Sequence, residues 1–316
     1  MAIRHEYPAG KPRVIIGRAL SDYEVTGQGV KLKTDSPEAP SLEGLIQCTV
    51  APPDALFYPV LPTFCRGKLM YGLCDRCLLE GKVRFCPHSD EERQMTGTWT
   101  VIELAAALRC GYRLVAVHEI LAYDRTEPLF LDFYLPLARQ KLQSEGFPRD
   151  DMTWEEKVAY VDDINAHMPA GFDLRPERVS RNSGRRNFAK LVSNAALGKL
   201  SQNDQKPKSR FARSWTEVNR LREHHRYQLK RLEPLSNDLC ELIYEPREER
   251  MGVHKNTQVN VYSYVTARGR LYMLEAVRWL LSIGCRLFYQ AGSSSARSER
   301  RLRNAFLLPR RRTPTP

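Results

Sequence analysis

The chain has 316 residues, length for one large domain or two ordinary ones, and 42% hydrophobic residues, enough to bury a core and to exclude wholesale disorder. Its 49 Lys and Arg against 37 Asp and Glu give a formal net charge of +12. No window reaches the ~18 consecutive apolar residues of a membrane span, and Met1-Ala-Ile-Arg-His-Glu6 has no apolar h-region, so neither a membrane nor a secreted setting is expected.

In chain order, the first 60 residues read as strands and turns. Arg13-Val-Ile-Ile-Gly17 and Leu45-Ile-Gln-Cys-Thr-Val50 are β-rich runs bounded by Pro and Gly. A Cys-rich stretch covers 65–90. Thr100-Val-Ile-Glu103 has the spacing of a capping box opening a helix through Arg109, with Gly111 placed to end it. Residues 113–124 alternate like a strand. Glu127-Pro128 should open a second helix closing near Gly146, and Thr153-Trp-Glu-Glu156 caps a third to about His167. Asn182-Ser-Gly184 is placed to cap a basic helix to about Gly198. Residues 201–235 are polar and charged, and are expected to form a loop or mobile insertion. Residues 240–245 read as a strand, 257–282 as a long helix stopped by Gly284, and 285–289 as a final buried strand. From Ala291 an Arg- and Pro-rich tail with no apolar period is expected to be unstructured.

The charge is uneven. Residues 181–231 hold 14 Lys and Arg against three acids, and 293–316 hold seven Arg and one Glu, so the rest of the chain is mildly acidic. That asymmetry suits contact with a polyanion, and equally a solvated basic surface.

Four of the eight cysteines, Cys65, Cys74, Cys77 and Cys86, crowd into 65–86 with His88 beside the last. Cys74-Asp-Arg-Cys77 is a CxxC whose thiolates can share one tetrahedral ion, and Cys86 and His88 can complete a Cys3His set for Zn2+, with Cys65 in reserve. Such an ion would be structural, because four protein ligands leave no open position. A disulfide fits poorly with a chain lacking a secretory signal, a redox CxxC would need a βαβ setting, and unligated thiols remain the bland alternative.

Arg186, Lys190 and Asn194 fall at i, i+4 and i+8, along one face of a helix. A Lys point charge and an Arg fork suit a triphosphate, although an isolated basic pair at this spacing is usually solvated surface. The run Lys190-Leu-Val-Ser-Asn194-Ala-Ala-Leu-Gly198 resembles the KxxxNSxYG fingers motif of family B DNA polymerases, and its flanks, Asn182-Ser-Gly-Arg-Arg186 and Lys199, resemble the protein-primed organellar and viral branch. Tyr7-Pro-Ala-Gly-Lys-Pro12, the stretch 44–53, His88-Ser-Asp-Glu-Glu-Arg93 and Thr96-Gly-Thr-Trp99 are similar to that branch's segment between its first palm motif and its fingers. Thr266-Ala-Arg-Gly-Arg270 is similar to its Thr-x-x-Gly/Ala-Arg motif. These matches are collinear from about residue 7 to 290.

The resemblance implies that Lys190 holds the phosphates of an incoming dNTP, that Arg186 assists, and that Asn194 and Gly198 shape the pocket over the nascent base pair. Thr266, Arg270 and Lys199 would contact primer-template DNA, and the basic insertion would wrap the template or a terminal priming protein. The family's Mg2+ ions sit on aspartates in a motif that would precede Met1 and in a turn after Tyr289, where this chain reads Ala291 and Ser293. The abrupt change at Gln290 reads as a splice or frame boundary. Within the fingers motif Ala195 replaces Ser and Leu197 replaces an aromatic.

Asp162-Asp163, Glu248-Glu249, His224-His225 and His254 read as solvated polar surface, and no nucleophile elbow, GxGxxG or P-loop is present. The expected fold is α+β: a partial polymerase palm sheet, a helical fingers element and a Cys-rich insertion subdomain. The expected organisation is a palm-proximal, terminal-protein-region-like insertion over 1–150, fingers over 151–200, a basic insertion over 201–255, a palm helix and strand over 256–290, and the tail over 291–316. The expected function is that of a DNA-directed DNA polymerase fragment, inactive alone, lacking an exonuclease segment, and working in an organelle, the nucleus or a viral element. The alternative is a non-catalytic, zinc-stabilised nucleic-acid-binding protein derived from a mobile element.

Overall fold

The computed structural model describes residues 5–33, 41–81, 86–202, 206–247 and 257–284. Two compact units divide the chain, one of residues 1–191 with 260–316 and the other of residues 192–259.

In the first unit, β1 (Tyr7–Ala9), β2 (Arg13–Ile16), β3 (Tyr23–Thr26) and β4 (Gly29–Leu32) precede the long strand β5 (Ser41–Ala51). A short hairpin follows, β6 (Pro62–Cys65) and β7 (Lys68–Tyr71), then α1 (Asp75–Glu80), α2 (Asp90–Arg93), β8 (Met95–Thr100), α3 (Val101–Arg109), β9 (Arg113–Tyr123) and β10 (Arg125–Glu127). β5 is the hub of a curled, six-stranded antiparallel sheet in the order β2-β9-β5-β4-β3. β9 pairs with β5 along Glu43 to Ala51, while β8 pairs with the other edge from Leu45 to Val50. The alternation along β5 explains its placement: Leu42, Ile46, Cys48 and Val50 are buried, while Ser41 and Gln47 are exposed.

α3 covers this core face with Leu104, Ala106 and Ala107. Its N-cap is Thr100, whose hydroxyl accepts from the Glu103 N–H at 3.3 Å, but only half of the expected capping box forms. The Glu103 carboxylate instead accepts from the Thr100 hydroxyl at 2.9 Å, while an arginine from a distant helix donates to its other oxygen. Gly111, at φ +93°, turns the chain into β9.

The next helices are α4 (Leu131–Gln143) and α5 (Trp154–Ala166). α4 starts later than the expected Glu127, because residues 125–127 pair with β1 as β10. The Thr153/Glu156 capping box forms as expected, both hydrogen bonds being present. A satellite core of Val161, Phe172, Leu174 and Val179 lies with Leu135 and Leu142 of α4. α6 (Ser183–Leu200) follows, with the Asn182 Oδ1 accepting from the Arg185 N–H at 2.9 Å, as the capping expectation required.

The second unit corrects the expected loop over 201–235. Those residues form β11 (Lys208–Ala212), α7 (Trp215–Arg222) and β12 (Tyr227–Ser236), completed by β13 (Leu239–Pro246) into a sheet of order β11-β13-β12. The core is small, built on Ala212, Val218 and Leu242 with Leu221, Leu229 and Leu232 beside them. Few apolar positions among many charges mask the alternation, and the two-residue Asn237-Asp238 turn closes the β12–β13 hairpin.

α8 (Val259–Ser282) starts two residues after the expected position, ends as expected before Gly284 at φ +80°, and from Asn260 onward belongs to the first unit. Leu274 joins the main core, and the buried Tyr264 hydroxyl donates to Glu43 Oε2 at 2.6 Å and accepts from the Gly44 N–H at 2.6 Å. The expected strand at 285–289, the tail, Glu248-Glu249 and His254 lie outside the described residues. No described helix is long and apolar enough to cross a membrane.

Candidate metal centre and basic helix

The metal centre is assembled by local turn chemistry. The two-residue turn Arg66-Gly67, with φ of 52° and 74°, folds β6 back onto β7, and α1 then begins with Cys74 as its N-cap. The Cys74 sulfur accepts from the Cys77 N–H at 3.4 Å, so the CxxC spacing also caps the helix. His88 immediately precedes Ser89, whose capping box with Glu92 opens α2. Arg93 at the end of that helix is buried and donates to the carbonyls of Pro53 at 2.7 Å and Leu73 at 3.4 Å, and also holds Asp54. It ties the segment entering Cys74 to the chain leaving β5.

The donor atoms of Cys74, Cys77, Cys86 and His88 all lie within 4.8 Å of one another. His88 Nδ1 is 3.4 Å from the Cys74 and Cys77 sulfurs and 3.6 Å from that of Cys86. Zn–S bonds of ~2.3 Å and Zn–N bonds of ~2.0 Å at tetrahedral angles give an N···S edge of about 3.5 Å. The three N···S distances match that edge, and the cluster can hold a metal ion such as zinc. The reserve ligand Cys65, though buried, is not one of the converging four. Among the described residues no group of three or more carboxylates converges in the same way.

The thiols shift as crowding demands. Burial pushes Cys77 up to about 12, with the hydrogen bonds and charges of Cys86 and Cys74 acting in the same direction. Burial also pushes Cys86 up, but the hydrogen bonds from the His88 backbone and ring and from the Cys77 and Cys74 thiols outweigh it and bring Cys86 down to about 7. One thiolate forms readily and resists the formation of a second, the situation a bound dication relieves.

Sequence reasoning missed Glu80. Its Oε1 lies 3.5 Å from His88 Nε2, the ring nitrogen turned away from the sulfurs. A carboxylate there holds the ring proton on Nε2 and leaves the Nδ1 lone pair for a metal. The one available signal was its place at the end of the helix that Cys74 caps.

α6 is one unbroken helix, so Arg186, Lys190, Asn194 and Gly198 follow one another at single-turn intervals. Lys190, Asn194, Gly198 and Lys199 are exposed and Arg186 half-buried. Arg186 Nη2 lies 3.6 Å from Glu145, and Lys199 donates to Gln202 at 2.5 Å. A Cβ placed on Gly198 would meet nothing within 4 Å, so the space beside it is open.

The two α8 positions are partly buried and already hydrogen-bonded. Arg270 donates through Nε at 2.7 Å and Nη2 at 2.6 Å to one oxygen of Glu103, whose side chain is 3% exposed. The Thr266 hydroxyl donates back into its own helix, to the carbonyls of Ser263 at 2.9 Å and Tyr262 at 3.2 Å. Ala291 and Ser293 lie outside the described residues. His224 and His225 stack with centroids 4.9 Å apart, and Asp162 and Asp163 are exposed on α5. No family model, curated protein or solved structure matches this chain.

Proposed function

We propose that this chain is the nucleotide- and DNA-binding part of a DNA-directed DNA polymerase of the protein-primed family B type. The observation that carries the reading is α6. A single continuous helix bears Arg186, Lys190, Asn194 and Gly198 in the order and spacing of the fingers motif, with Lys190 and Asn194 exposed and open space at Gly198.

In this reading the Lys190 ammonium neutralises the phosphates of an incoming dNTP. Glu145 orients the Arg186 guanidinium beside it, Asn194 fixes a neighbouring polar group, and the bare face of Gly198 leaves room for a base pair. Lys199 and the donors of Arg270 that Glu103 does not take serve the phosphodiester backbone, together with Thr266, so binding depends on salt and little on sequence. The role assigned to this chain is binding: where the resemblance puts Mg2+ aspartates, the sequence has Ala291 and Ser293. Primer-template DNA, a dNTP and a terminal priming protein are its partners.

The Cys/His centre is, in the same reading, a structural Zn2+ site. Cys74, Cys77, Cys86 and His88 fill a tetrahedral shell, and the ion orders a segment that has little apolar core of its own.

Filter binding of the full chain to primer-template DNA tests the proposal. Matched dNTP should tighten binding, and Lys190→Ala should abolish that gain without unfolding the protein. If dNTP has no effect while a chelator destroys DNA binding, the reading fails in favour of the alternative, a non-catalytic zinc-stabilised nucleic-acid-binding protein.

A further inference from the structure

A cavity of about 200 Å³ lies where the α4–α5 loop, the first turn of α5 and the segment entering α6 meet. Three cationic side chains line it, Arg149, Lys157 and Arg181, against one carboxylate, Asp150. They come from three separate pieces of chain, and local structure holds each piece. The segment with Arg181 is pinned by the Ser180 N–H on the Gln143 carbonyl and the Asn182 N–H on the Ser144 carbonyl, both at 2.9 Å. Gly146, at φ +75°, lets that segment close in: a Cβ at this position would lie 3.3 Å from the Arg181 Cβ. Arg149 Nη2 is 3.0 Å from Glu156, the capping-box residue of α5, and its Nε is 4.0 Å from Asp151. Lys157 lies over the Phe147 ring, 5.4 Å from its centroid.

Arg149 therefore has counter-charges. Lys157 and Arg181 have no carboxylate partner among the described residues. Like charges gathered around one small cavity repel, and an anion seated between them reverses the sign of that interaction. The size limits what the anion is. Pockets that enclose whole small molecules run from ~300 Å³ upward, so this one suits a phosphate group with at most part of an attached sugar. An Arg fork and a Lys point charge are the side chains that fit such a group, and Ser180 also lines the cavity.

We infer that this cavity is a phosphate-binding site, with Lys157 and Arg181 as its principal ligands and Arg149, oriented by Glu156, as the third. The phosphate is either a free ion or the phosphodiester of a nucleic-acid strand. The inference does not rest on the nucleotide role of α6, and Lys190 takes no part in it.

Thermal unfolding of the full chain, with ionic strength matched by chloride, tests it with two probes, inorganic phosphate and a short thymidine oligonucleotide. Each probe that binds the folded state raises the midpoint according to its concentration over its dissociation constant. The expected result is a rise with phosphate that falls by more than about tenfold in apparent affinity in Lys157→Gln and in Arg181→Gln, measured singly so that folding is retained. Protection by the oligonucleotide at a much lower phosphate concentration than the free ion, lost in the same Gln variants, identifies a strand as the source. Equal concentrations identify the free ion. No rise with either probe, or an equal rise in the Gln variants, overturns the inference.

Discussion

Arg270 on α8 grips the buried carboxylate of Glu103 on α3 through Nε and Nη2, across 167 residues of sequence. A pair with one partner nearly sealed from water is costly to break from one side, because the remaining charge is left uncompensated. Arg270→Ala should destabilise the fold by about 3–5 kcal/mol in urea unfolding, whereas the double exchange Glu103→Leu/Arg270→Met should recover most of that loss. The double variant also separates the two roles of Arg270, since a folded protein with weakened DNA binding would assign the backbone contact to the guanidinium.

Glu80 should matter to the metal without touching it. Removing a carboxylate behind a ligating histidine weakens metal affinity about 10–100-fold. Glu80→Ala should lower zinc affinity by that factor in a chelator competition, and Co2+ should still give a tetrahedral thiolate spectrum. Cys77→Ser should lose that spectrum.

The thiol shifts set a pH dependence for the metal-free protein. Cys86 is held below the usual thiol value, at about 7, so its thiolate stabilises the fold above the ordinary value and that contribution is lost as pH falls through about 7. Cys77, raised to about 12, stays protonated, and its contribution is present below the ordinary value and lost as pH rises through about 12. Alkylation of the chelated protein at pH 7–8 should therefore label Cys86 before Cys77, and zinc should protect both. Because binding displaces protons from the thiols, zinc affinity should rise with pH.

Gly44 cannot carry a side chain. A Cβ would lie 1.9 Å from the Leu121 carbonyl oxygen, at φ +148°. Gly44→Ala should force β5 and β9 apart and cost more than about 4 kcal/mol, among the largest single-residue effects. Tyr264→Phe is the milder counterpart: it removes the acceptor of the Gly44 N–H and the donor to Glu43, and should cost about 1–3 kcal/mol in the same assay.

The contrast between α5 and residues 201–235 shows which parts of the fold could be read directly. Thr153 and Glu156 satisfy the first turn of α5 between themselves, so the helix start is visible in four residues. Nothing comparably local marks β11 or β12. Their strands exist because Lys208 to Ala212 and Tyr227 to Ser236 both pair with β13, and exposed Phe211 and Trp215 among basic residues hide the three-residue core. The candidate metal ligands were legible for the same reason as α5: Cys74 and Cys77 lie within one turn, and Cys86 and His88 immediately precede the Ser89 cap.

What the sequence alone determined are features whose partners lie within a few residues: the caps of α3, α5 and α6, the alternation of β5, the Cys3His set, and the single-turn spacing of Arg186, Lys190, Asn194 and Gly198. Such interactions follow from helix and strand periodicity and need no knowledge of the rest of the chain. Only the tertiary structure decided that Arg270 turns inward to Glu103, that Glu80 rather than Cys65 completes the surroundings of the metal site, and that Arg149, Lys157 and Arg181 meet around one cavity. Each of these depends on which distant segments pack together. That packing is set by non-directional apolar burial over the whole unit, which no local pattern encodes.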